Sequence, residues 1–291
     1  MWFFYALASA LFASVRRTNE KRISRQLNHF SVGWTVQALS LPVVGGAMLL
    51  SHQLLNPLHL RASFWIATII VWLGFYPLNT FCYVNAYRHG EFSKILPLQS
   101  LGPVFSLLIG WTAFAQRPTV AALLAIGIIV VSVYVLNMKG RRLHNPLTMF
   151  TADKPNLYML GSIALAALAG MLNTISIRAS NPLFYSFVST LGAVPVLYIS
   201  ARIAGVQEGS AVRRHLGGLS LAGTLCGLTY SAYLLAINTG PLAYVSAVKG
   251  ASIFIGAAIG IFWLKEQVTK QKVLAFTGMA VGLTLLAIFS V

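Results

Sequence analysis

Charge is what this chain has least of. Charged residues make up 9% of its 291 residues, against about a quarter in an ordinary soluble domain. Only five are acidic: Glu20, Glu91, Asp153, Glu208 and Glu266. All five lie in or beside short polar connections, so no carboxylate stands in the middle of an apolar run. That argues against exchange of a proton for a cationic drug, which commonly relies on an intramembrane carboxylate. Cysteine is scarce too. Cys82 and Cys226 both fall in apolar runs, and there is no CxxC and no disulfide framework. The six histidines (His29, His52, His59, His89, His144 and His215) sit at run ends or in connections. With no HExxH, no Walker sequence and no paired intramembrane carboxylates, the chain offers no residues for a metal site, nucleotide hydrolysis or a catalytic pair. It reads as a protein without a cofactor and not as an enzyme.

Apolar residues are abundant, at 57%. A bilayer core needs about 20 of them per helix. Ten runs qualify: 1–17, 29–50, 62–85, 92–114, 119–138, 156–177, 183–204, 217–237, 242–264 and 270–290. The expected fold is therefore all-α, a polytopic membrane protein of ten transmembrane helices in a cell (inner) membrane. The opening run, "MWFFYALASALFASV", lacks a basic segment before it. Its positive charges follow, as in a retained first helix and not a cleaved signal.

The chain also divides in two. "KGRRLHNPLTMFTADKPN" (139–156) is its longest connection. It separates a first five-helix repeat, 1–138, from a second, 156–291, with 139–155 as a basic linker. Sliding the sequence by 150 aligns Tyr83 with Tyr233, Gly90 with Gly240, Gly110 with Gly260 and Thr119 with Thr269, among others. Charge tests this independently. The odd-numbered connections hold 17 Lys and Arg, the even-numbered ones 3, and Lys249 completes the 21. Basic loops stay in the cytoplasm, so both termini are expected outside. Corresponding loops of the two halves carry opposite bias, as an inverted-topology repeat requires. Secondary transporters built this way hold substrate near the midplane between the copies. The +16 net charge is then topological, facing lipid headgroups. No basic stripe with interleaved aromatics stands outside the runs, so no nucleic-acid partner is expected.

Lys249 is the exception to this pattern. It lies about 10 Å into the ninth run at 1.5 Å per residue, where a lysine costs about 2.5–3.5 kcal/mol. Snorkelling to the interface is one reading. The helical wheel favours another: Gly256 and Gly260 lie on the same line, flanked by Ser252 and Ile253. Their GxxxG spacing marks a close helix contact, which turns the lysine inward. Its counterpart at minus 150 is Gln99, between Pro97 and Pro103, which should loosen that helix and free carbonyls nearby. Gln99 reads either as a substrate group or as an interhelical hydrogen bond. Tyr76, Asn79, Thr80 and Tyr83 share a face in the third run; Cys226, Thr229, Tyr230 and Tyr233 share one in the eighth. Tyr83 and Tyr233 lie near run ends and are expected in the aromatic belts. Tyr76, Asn79 and Tyr230, with Gln37 and Asn173 at mid-depth elsewhere, are candidate cavity residues.

These residues resemble a known family. The two five-helix repeats and the ending "GIFWLKEQVTKQKVLAFTGMAVGLTLLAIFSV" (260–291) look like the EamA-type branch of the drug/metabolite transporter superfamily. Glu266, Thr269, Gly278 and Gly282 fit its pattern. Gln116, Ala125, Ser132 and Ala275 depart from it. "SAVKGAS" (246–252) looks like the ninth-helix lysine region of the superfamily's nucleotide-sugar and sugar-phosphate carriers. The resemblance implies that Lys249 meets an anionic group of the substrate. The matching lysine of the fourth helix is absent, since Gln99 stands there.

The sequence thus points to a transporter that moves a small polar metabolite, with an anionic group, by alternating access. Its substrate site is expected to use Lys249, Gln99, Tyr76, Asn79, Tyr230, Asn173 and Gln37. A lipid or polyprenyl-phosphate flippase is the alternative, using the same lysine.

Overall fold

The computed structural model describes residues 1–23, 27, 29–52, 55, 60–89, 98–114, 119–137, 154–206, 209–242, 244–246, 248–249 and 270–289. Among them every regular element is a helix. In chain order these are α1 (Trp2–Ile23), α2 (His29–Leu50), α3 (Ala62–Ile70), α4 (Tyr76–His89), α5 (Gly102–Phe114), α6 (Val120–Asn137), α7 (Lys154–Arg178), α8 (Pro182–Ile203), α9 (Gly209–Arg214), α10 (Leu216–Thr239) and α11 (Lys270–Phe289). A π turn, Val71–Phe75, joins α3 to α4 without a break, and a 3-10 turn, Gln99–Leu101, leads into α5.

Local chemistry accounts for these boundaries. Pro77 has no N–H to give and crowds the carbonyl four residues back, at Leu73, inside the π turn. At α8, the Asn181 side chain caps the Phe184 amide at 2.8 Å, with Pro182 opening the helix. The same helix ends at Gly205, whose φ of 73° lets the Val206 amide return to the Ala201 carbonyl at 3.1 Å.

Among the described residues, five helical stretches are long and apolar enough to cross a bilayer: Phe30–Leu50, Ala62–Tyr83, Lys154–Arg178, Pro182–Ile203 and Leu216–Thr239. Trp2–Arg16, Val120–Ser132 and Val273–Gly282 are shorter apolar helices. Polarity runs inside out. Large apolar side chains such as Leu73, Trp111, Leu124, Ile199 and Leu274 point outward, while Ser9, Thr68, Ser176, Ser186 and Ser189 are fully buried. Water would penalise that exterior; lipid does not.

The chain forms two compact units, and neither is a contiguous half of the sequence. Unit 1 comprises Met1–Leu78 and Ala169–Thr239; unit 2 comprises Asn79–Leu168 and Gly240–Val291. The divisions fall inside α4 and inside α7.

Within unit 1, α10 packs on α1 and α2, and α8 packs on α2, on α10 and on the π turn. The α2–α10 seam is closed by Gly223 and Gly227. A Cβ on Gly223 would lie 2.6 Å from Leu39 Cβ, and one on Gly227 would lie 3.2 Å from the Ser40 carbonyl oxygen. Below it, Ile23, Leu27, Val32, Val36, Val212 and Leu219 form an apolar cluster. Within unit 2, α11 packs on α6. Gly278 and Gly282 face Ser132 and Ala125, two of the three first-half positions that depart from the family pattern. A Cβ on Gly282 would meet the Ala125 carbonyl at 2.9 Å. A second cluster joins Ala86, Leu98, Leu101, Met159 and Ile163.

Candidate substrate-binding residues

Four of the seven expected site residues lie in unit 1, each in a network of buried polar groups. The half-buried hydroxyls of Tyr76 and Tyr230 both reach Ser189 Oγ, at 3.5 and 3.0 Å. Trp72 Nε1 donates to the Ser189 carbonyl at 3.2 Å. Tyr185 donates from its hydroxyl to Asn173 Oδ1 at 2.7 Å, and both side chains are buried. That phenol also lies among Ser176, Ser189 and Tyr230, so Asn173 joins the same network. Gln37 accepts from Cys226 Sγ at 3.4 Å, and Arg16 Nη1 donates to that sulfur at 3.0 Å. Cys226 in turn lies close to Tyr76.

These contacts follow from helix geometry. Trp72 and Tyr76 are four residues apart across the π turn. Cys226 and Tyr230 are one turn apart on α10, and Ser186 and Ser189 nearly one turn apart on α8. Ser186 meets Ser231 at 3.2 Å and Thr68 meets Ser176 at 3.2 Å, so the seam continues along both neighbours. At Gly192 a Cβ would fall inside the Trp72 indole, which requires glycine there.

The other three expected residues lie in unit 2. Asn79 Oδ1 accepts from Ser162 Oγ at 2.5 Å. Gln99 is half-buried and opens the 3-10 turn, beside buried Leu98 and Leu101. Lys249 is helical and half-buried, next to fully buried Val248. One turn before it, Ser246 accepts from Ser106 at 2.9 Å, joining the fourth and ninth runs at the level of the lysine. The Gly256–Gly260 face with Ser252 and Ile253 lies outside the described residues, as do Pro97, Gln116, Glu266, Thr269 and the linker up to Asp153.

Two expectations change. Tyr233 is not an exposed belt residue: it is 8% exposed on α10, which runs to Thr239. Tyr83 is 37% exposed, as a bilayer-facing ring would be. Arg16, read as part of the first basic loop, belongs to α1, which continues to Ile23. Its guanidinium reaches Cys226, about halfway along α10. Arg16, Trp72, Tyr185 and Ser189 were not legible in the sequence as partners of the candidate residues. Trp72 reads as apolar and serine is common, so only Pro77, just past Tyr76 in an apolar run, marked an irregular helix.

Helices with an apolar exterior and a hydrogen-bonded polar interior define a multi-pass membrane protein. The sequence profile of the EamA-like transporter family matches it twice, over residues 1–138 and 154–288. This chain belongs to that family, within the drug/metabolite transporter superfamily. No curated protein matches it. A chain of known crystal structure shares the fold with a TM-score of 0.77 and 12% sequence identity, over 99% of this chain and 97% of that one.

Proposed function

We propose that this protein is a secondary transporter moving a small polar metabolite with an anionic group, by alternating access, across a cell (inner) membrane. It crosses ten times, as inverted repeats 1–138 and 156–291 joined by the basic linker 139–155, with both termini outside. Support for alternate crossing comes from helix directions. Contacts of Ser9 with Thr229 and Asn19 with Gly218 run α1 antiparallel to α10. Those of Gly223 with Leu39 and Gly227 with Val43 run α2 parallel to α10. Ser132 with Gly278 and Ala125 with Gly282 run α6 antiparallel to α11. Each direction is the one expected of crossings one and eight, two and eight, and five and ten.

The observation that carries a transport reading is the convergence of Tyr76, Tyr230 and Asn173 on one polar network inside an apolar exterior, with Gln37 bonded to Cys226 nearby. Polar groups this deep usually line a pathway. Lys249 supplies the charge for a carboxylate or phosphate, with Gln99 and Asn79 as the other candidate substrate residues of unit 2. Lys249→Met tests this. Methionine removes the charge of half-buried Lys249 at similar length, so the variant should lose uptake in proteoliposomes while remaining folded. Uptake at the wild-type rate would overturn the reading. Scrambling of labelled lipid without uptake of any soluble metabolite would replace it with a flippase.

A further inference from the structure

We infer that α2 and α8 carry two gates of the transport path, one toward each face of the membrane: residues 43–50 hinged at Pro42, and residues 196–203 hinged at Pro195. The inference rests on the alternating-access reading. Each helix is 22 residues long and has one proline inside it, thirteen residues after the first, at 42 from 29 and at 195 from 182. The two helices pack in opposite directions. Trp34 meets Tyr198 with ring centroids 5.4 Å apart, and a Cβ on Gly45 would lie 3.3 Å from the Phe187 ring. Moving 153 positions along the chain takes Trp34 to Phe187 and Gly45 to Tyr198, so each contact is the counterpart of the other. A local two-fold axis therefore relates α2 and α8, and it carries Pro42 onto Pro195.

Proline interrupts the helix ladder where it stands. It has no N–H for the carbonyl four residues back, Ala38 in α2 and Leu191 in α8, so each helix bends most easily there. Beyond Pro42 lies the segment that Phe187 meets at Gly45. Beyond Pro195 lies the segment that Trp34 meets at Tyr198. Cys226 stands between these contacts. Its sulfur bonds Gln37, and its neighbour Gly227 packs on Val43, both between Trp34 and Gly45 along α2. Cys226 also lies close to Tyr76, so the level of the polar network has a closed contact on either side. With both termini outside, α2 runs outward. Gly45–Phe187 is then the outer gate, and Trp34–Tyr198 the cytoplasmic one.

The test labels Cys226 with a membrane-impermeant maleimide in right-side-out and inside-out vesicles that hold the full chain carrying Cys82→Ser. Both preparations of this parent should label. Alanine favours helix, so the proline variants should fold. Pro42→Ala should slow labelling from outside about threefold, the weight of one average hydrogen bond in a membrane, by restoring that bond in the closed helix. Its rate from inside should not change. Pro195→Ala should do the reverse. Phe187→Ala and Tyr198→Ala loosen the contacts and should speed labelling from outside and from inside respectively. Unchanged rates in the proline variants or in the ring variants, or both proline variants acting on one side, would overturn the gates and leave the transport reading intact. The same pattern with the sides exchanged would uphold the gates and invert the orientation of the chain. A parent that labels from one side only, or from neither, would overturn alternating access through this path and the gates with it.

Discussion

Units 1 and 2 share one way of holding helices together in lipid and differ in another. Both use a Gly-xxx-Gly stripe: Gly223 and Gly227 set α10 against α2, and Gly278 and Gly282 set α11 against α6. Lipid tails are as apolar as leucine, so close backbone contact gains van der Waals energy that larger side chains would forfeit. Unit 1 adds something else. Trp72, Tyr76, Asn173, Tyr185, Ser189 and Tyr230 are hydrogen-bonded across four segments of chain. The side-chain contacts of unit 2 include Asn79–Ser162, Ser106–Ser246 and the Phe81–Tyr158 ring pair. Steric seams need only small residues at the right spacing. Polar networks need every member at once, since each unmet group in lipid is costly.

The largest effect expected on this contrast is at Gly192. Gly192→Ala drives a methyl into the Trp72 indole. It should cost about 3 kcal/mol through overpacking, seen as a lower unfolding midpoint in detergent. Trp72→Ala in the same chain should recover part of it. An unchanged midpoint would mean that Trp72 does not lie against α8. A smaller loss, about 2 kcal/mol, is expected from Gly282→Leu in unit 2, with partial rescue by Ile129→Ala. If that rescue fails while the loss is full, the α6–α11 seam is not what the leucine disturbs. Tyr185→Phe is the mildest of the three. Membrane hydrogen bonds average about 0.6 kcal/mol, so a loss near 1 kcal/mol, reversed by Asn173→Leu, is expected for this buried pair. A loss as large as that of Gly192→Ala would show that the network, and not the packing, holds unit 1.

The sequence carried the fold class and the family, because hydropathy and the glycine spacing of 278 and 282 depend on residue type alone. It also marked Tyr76, Tyr230, Asn173 and Gln37 as side chains needing a hydrogen-bond partner, since each is polar and far from either end of an apolar run. It could not tell which partners. Ser189 links two tyrosines from a helix more than a hundred residues away in sequence from Tyr76, and nothing in its neighbourhood marks it. Arg16 was hidden for another reason. It stands next to Arg17 at the end of a run, where charge ordinarily signals the loop. Only the continuation of α1 to Ile23 turns it inward. The expectation for Tyr233 failed because nearness to the end of a run does not say whether a ring is exposed, and this one is buried.

The π turn at Val71–Phe75 carries one more residue than an α-helical turn would. Each residue of an α-helix turns the chain by about 100° and advances it about 1.5 Å. Everything before the turn is therefore rotated by roughly that angle relative to Tyr76. Loss of a single codon between 71 and 75 would restore the regular winding, leave α4 untouched, and swing α3 to a different face. Relatives that differ in length by one residue here would present different side chains to Ser189 from an otherwise identical bundle, which makes this the cheapest genetic step by which such proteins could diverge in what they hold.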